Sequence, residues 1–97
     1  MHIFNLFKRF KTQADNRLAD GSSFANAVCI DAEDSLSGMV AEYIFMAKLY
    51  GHPGKDWRVA SQSIIEQNNK VYDVISITLS NGQHKRVYFD IGKFYGK

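Results

Sequence analysis

Three carboxylates, Glu42, Asp73 and Asp90, and one histidine, His84, stand closest in this chain to what acid–base chemistry needs. Asp73 is the odd member of an otherwise apolar β-run, where an unpaired carboxylate is costly. It is expected either at the rim, bonded to Ser61 or Ser63, or as an acid with a shifted pKa in a pocket. Asp90 falls beside Tyr72 as a cross-strand hydrogen-bonded pair. Catalysis would need one of these acids joined to His84 or Tyr88 in a closed polar pocket, and no spacing in the sequence makes that junction. No catalytic residue is therefore expected, and a binding role is favoured, with a small carboxylate-based enzyme as the alternative.

Other chemistries lack their residues. His2, His52 and His84 lie in three separate segments, with no cysteine pair and no His-x-x-x-His spacing, so no metal and no cofactor are expected. Ser22-Ser23 after Gly21 lacks the lysine of a phosphate loop. The single cysteine, Cys29, has apolar neighbours and reads as a buried strand thiol.

A binding surface emerges from register. Residues 71–91 hold two alternating β-runs around Asn81-Gly82. A two-residue turn would set Asp73 opposite Asp90, a like-charge pair. A three-residue loop, Ser80-Asn81-Gly82 with the glycine left-handed, pairs Leu79 with Gln83 and separates apolar from polar. One face then carries Val71, Asp73, Ile75, Ile77, Leu79, Lys85, Val87, Phe89 and Ile91. The other carries Tyr72, Val74, Ser76, Thr78, His84, Arg86, Tyr88 and Asp90. The same alternation in the preceding run sends Trp57, Val59 and Ile65 to the apolar face, and Arg58, Ala60, Gln62 and Ile64 to the polar one. Arg58, Gln62, Tyr72, His84, Arg86, Tyr88 and Asp90 form the candidate binding surface, while Glu42 and Asp73 are candidate buried polar groups.

The elements that must position these residues follow from pattern. Residues 25–30 read as a short buried strand. A helix over residues 35–50 starts after the acidic stretch 31–34 and stops at Gly51, with Pro53-Gly54 preventing continuation. Leu36, Val40, Tyr43, Ala47 and Tyr50 make its expected core stripe, widened by Met39, Ile44 and Met46. Three β-runs follow, at 57–66, 71–80 and 83–91, turning at Asn68-Asn69 and Asn81-Gly82. The expected fold class is α+β in the order β-α-β-β-β, with an antiparallel sheet of three to four strands packed on one main helix. Residues 92–97 add a terminal aromatic clamp. Residues 1–20 form an N-terminal amphipathic helix and linker, with Ile3, Leu6, Phe7 and Phe10 on one face and a basic opposite side; residues 21–97 are the single domain. That terminal helix fits docking on its own domain or on a second copy better than a membrane anchor.

Bulk properties bound the function. Ninety-seven residues with 45% apolar and 13% aromatic content suffice for one core. A net charge of +2 argues against a dedicated nucleic-acid binder, although Tyr72 and Tyr88 with Arg58 and Arg86 imitate a single-strand platform. Without an apolar run long enough to span a bilayer, and with one cysteine, a reducing cytoplasm is expected. Surplus aromatics, among them Phe4, Phe7, Phe10, Phe94 and Tyr95, suggest burial across an interface with a protein partner or in a homodimer.

The residues Gly21-Ser22, 27–30, Ala41-Glu42-Tyr43, Trp57, Gln62, Tyr72-Asp73, Asn81-Gly82, 88–91 and 94–97 are similar in type and spacing to small uncharacterised bacterial proteins of the integron gene-cassette kind. The resemblance covers residues 21–97. It implies an orphan bacterial single domain, carries no activity, and favours a strand at 25–30.

Overall fold

The computed structural model describes residues 19–97. The amphipathic helix expected within residues 1–20 lies almost wholly outside them. In chain order the elements are β1 (Val28–Cys29), α1 (Ser35–Tyr50), β2 (Trp57–Gln67), β3 (Lys70–Leu79) and β4 (His84–Asp90), an α+β arrangement.

Turn chemistry sets the sheet pairing. Asn68 and Asn69 both take positive φ, 52° and 62°, the backbone of a two-residue type I′ turn joining β2 to β3. After β3, Gly82 sits at φ 88°. Its N–H bonds the Leu79 carbonyl at 2.9 Å, and the Leu79 N–H bonds the Gln83 carbonyl at 2.8 Å. This is the expected three-residue loop, and Thr78 consequently faces His84, Ile75 faces Val87 and Tyr72 faces Asp90.

The sheet is mixed, in the order β1-β4-β3-β2. β2, β3 and β4 pair antiparallel, but β1 runs parallel to β4, with Val28 beside Phe89 and Cys29 beside Asp90. The all-antiparallel expectation is thereby corrected. A 16-residue helix is ~24 Å long and returns the chain to the end from which β1 started. β2 thus runs the same way as β1, and two hairpins later so does β4.

A second correction concerns α1. Its Asp34 cap accepts the Ser37 N–H at 2.8 Å, and Gly51, at φ 101°, closes it by donating to the Ala47 carbonyl at 2.9 Å. The buried residues, however, are Gly38, Ala41, Glu42, Phe45 and Met46, while Leu36, Val40 and Tyr43 are exposed. The helix is apolar around most of its circumference, so periodicity does not single out one face. Fit decides instead. Phe45 packs edge-on against Phe89, with centroids 5.7 Å apart, and Gly38 gives up its side chain to the ring of Phe94, which the tail folds over the helix.

The third correction is a β-bulge at Ala60. Val59 faces Ile77, but Ser61 faces Ser76, and from there Gln62 faces Ile75, Ile64 faces Asp73 and Ile65 faces Tyr72. One extra residue reverses every later side chain in the strand. Gln62 and Ile64 therefore lie on the helix side of the sheet and Ile65 on the far side, the opposite of the simple alternation.

Candidate functional site

Because β1 covers β4 only at Phe89 and Asp90, the rest of the β4 edge is left to the segment that precedes β1. Gly21 at φ 73° turns this segment back, and its carbonyl accepts the Tyr88 N–H at 2.8 Å. Further along the edge a cleft of about 610 Å³ opens between Asp20 and Ser22, the last turn of α1 at Leu49 and Tyr50, and the β4 side chains. His84, Arg86 and Tyr88 reach it from the far face of the sheet, together with Ser76, while Lys85 reaches it from the helix side.

The cleft is cationic with a polar and aromatic wall. Lys85 and Arg86 bring two positive charges and His84 an imidazole ring; the His84 Nδ1 lies 3.2 Å from the Thr78 hydroxyl oxygen. Asp20 is the acidic member, and its carboxylate accepts both the N–H (3.0 Å) and the hydroxyl (2.6 Å) of Ser22. Burial, and secondarily the Asp20 charge, pushes the Tyr50 phenol above its ordinary range, so it stays a hydrogen-bond donor. Arg86 offers a planar fork for a carboxylate or phosphate and Lys85 a point charge. The chemistry available is recognition of an anionic group beside an apolar or aromatic one.

The structure divides the expected surface. His84, Arg86 and Tyr88 meet in the cleft. Tyr72 is buried instead, and Phe24 packs edge-on against both Tyr72 (4.9 Å) and Tyr88 (4.8 Å), so these rings do not form an open stacking platform. Arg58 stands apart, opposite Thr78 on β2, and Gln62 has crossed to the other face. The Asp90 carboxylate accepts the Gly92 N–H at 3.0 Å and lies 3.9 Å from the Lys70 ammonium, in place of the expected bond to Tyr72. Leu49, Tyr50, Asp20, Ser22 and Lys85 were not among the expected site residues. Ser76 opposite Arg86 was readable from register; the 20–22 segment had no signal beyond its Gly-Ser content.

Glu42 and Asp73, 2% and 4% exposed, meet beneath α1. The Gln62 Nε2 donates to Asp73 Oδ2 at 2.8 Å, so Gln62, rather than Ser61 or Ser63, is the partner of Asp73. Burial, then the hydrogen bond and charge of Asp73, pushes the Glu42 carboxyl up to about 10; Glu42 is therefore protonated at neutral pH and donates to Asp73. Glu42 Oε2 and Asp73 Oδ1 have no hydrogen-bond partner. The sheet separates this pair from His84 and Tyr88. Cys29 is half-buried, and burial, followed by the Asp90 charge, raises its thiol, which disfavours the reactive thiolate. Among the described residues no three His, Cys, Asp or Glu side chains cluster as metal ligands, and no helix is long and apolar enough to cross a membrane.

No protein-family model, curated protein or solved structure matches this chain.

Proposed function

We propose that this chain is a non-enzymatic binding domain whose β4 cleft takes an anionic group presented by a small ligand or by a protein partner. The observation that carries the reading is the convergence of His84, Lys85, Arg86 and Tyr88 on one cleft of about 610 Å³, a volume within the range of small-molecule sites. Cationic groups steer and orient the anion, and the Tyr88, Tyr50 and Leu49 surfaces receive an adjoining apolar part. Retention of the single thiol, Cys29, suits a reducing cytoplasm.

Amide chemical shifts followed during titration with inorganic phosphate, and separately with benzoate, test the proposal. Residues 20–22, 49–50 and 84–88 are expected to shift together, more strongly with benzoate, and Arg86→Ala should abolish the saturation. Shifts scattered over the surface, or unchanged in Arg86→Ala, would remove the cleft as the site. A single-stranded oligonucleotide in the same titration addresses the nucleic-acid alternative. Salt-sensitive binding weakened by both Arg58→Ala and Arg86→Ala would favour that alternative over a small anion.

A further inference from the structure

At the opposite edge of the sheet, β2 is the outermost strand, and the surface beside it is apolar. On the helix flank above it, Met39 is 49% and Tyr43 38% exposed, and on β2 itself Ile64 is 47% exposed. Tyr43 leans on Trp57 of β2 with ring centroids 5.7 Å apart, so this flank faces the strand edge. The bulge at Ala60 brings Ile64 to the same side of the sheet. Among the described residues nothing covers the exposed parts of these side chains.

The edge is also open to pairing. The bond from the Leu79 N–H to the Gln83 carbonyl fixes the alternation: Asp73, Ile75 and Ile77 aim their backbone groups at β4, and Tyr72 and Val74 aim theirs at β2. Ile65 and Ser63, which face Tyr72 and Val74, therefore bond inward, while Gln62 and Ile64 turn their N–H and C=O outward. Residues 61–65 contain no proline and no charge; the Ala60 bulge and the Pro53–Gly54 segment, whose Gly54 N–H bonds the Trp57 carbonyl at 2.7 Å, guard only the start of the strand.

We infer that β2 and the adjoining flank of α1 form the interface with a second copy of this chain, paired antiparallel along β2 about a two-fold axis near Gln62, the midpoint of the strand. The occupant follows from size and self-complementarity. Met39, Tyr43 and Ile64 give the patch its apolar centre, and a strand-length edge supplies the rest of the ~800 Å² that each partner gives to a standard interface. An antiparallel pair of identical strands is isologous, so the neutral run of one copy lies along that of the other. Both helices then sit on one side of a continuous eight-stranded sheet, with the Met39 and Tyr43 flanks turned toward the axis. This surface is separate from the β4 cleft, and neither depends on the other.

Light scattering on the full chain during gel filtration gives the test. The expected mass is twice 11.0 kDa, falling on dilution. Ile64→Pro removes one outward N–H and leaves the bonds to β3 intact, and Met39→Lys charges the helix flank; both should run at the single-chain mass with unchanged circular dichroism. A single-chain mass for the unaltered protein at high concentration, or a dimer that survives both Ile64→Pro and Met39→Lys, would overturn the inference.

Discussion

Glu42 donates its carboxyl proton to the carboxylate of Asp73 in the interior between α1 and β3, and Gln62 holds the same carboxylate from β2 with a 2.8 Å hydrogen bond. Three elements are thus tied through one carboxylate. The arrangement explains how an acid can occupy the buried face of α1 beside Phe45 and Met46: it is kept neutral there.

The pair makes stability depend on pH in a stated direction. The folded-state value of Glu42 is raised to about 10 from an ordinary 4.5, so between these limits the folded state holds a proton that the unfolded chain has released. Stability from this group is complete at low pH and declines as pH rises through the window. Glu42→Gln keeps a donor for Asp73 without the charge. It should be more stable than the parent at pH 7 by on the order of 3 kcal/mol, with a gap that widens from pH 5 to pH 9. Urea unfolding at those pH values checks this; a gap independent of pH would refute the shared proton.

Gly38 is packed under the Phe94 ring, which a Cβ at position 38 would overlap. Gly38→Ala should cost about 1–3 kcal/mol through overpacking, against its favourable effect on helix propensity. Phe94→Leu should cost less in the Gly38→Ala background than alone. A thermal double-mutant cycle reads that coupling directly.

Phe24 contacts both Tyr72 and Tyr88 edge-on. Phe24→Ala should destabilise the domain by roughly 2–4 kcal/mol, and near-ultraviolet circular dichroism from the tyrosines should weaken at temperatures well below unfolding. Phe24→Leu should recover part of the loss.

Gly82 holds φ 88° in the β3–β4 loop with open space where a Cβ would stand, so the strain of a side chain there is purely backbone. Gly82→Ala should lower stability by about 1 kcal/mol, visible as a reduced Tm, while Gly82→Asn should cost less because asparagine tolerates the left-handed region.

Local chemistry was legible where it acts over a few residues. Asn81-Gly82, with the alternation on either side, determined the three-residue loop and therefore which faces hold Asp73, Tyr72, His84, Arg86 and Tyr88. Asp34 and Gly51 bound the helix, and Phe94 of the aromatic tail clamps it over Gly38. The sequence by itself thus determined the elements, their order and the β3–β4 register, because each depends on dihedral preferences and period-two patterning within one hairpin or one helix. Tertiary structure alone decided the rest. The Ala60 bulge, set by how β2 accommodates β3, moved Gln62 onto Asp73 and Ile64 to the helix side. Close packing of Gly38, Ala41 and Phe45 chose the buried face of a helix that is apolar on several sides. The return of the chain through α1 laid β1 parallel to β4, leaving the edge where Asp20, Ser22 and Tyr50 complete a cleft with His84 and Arg86. These outcomes depend on distances between segments far apart in the chain, and no local pattern encodes such distances.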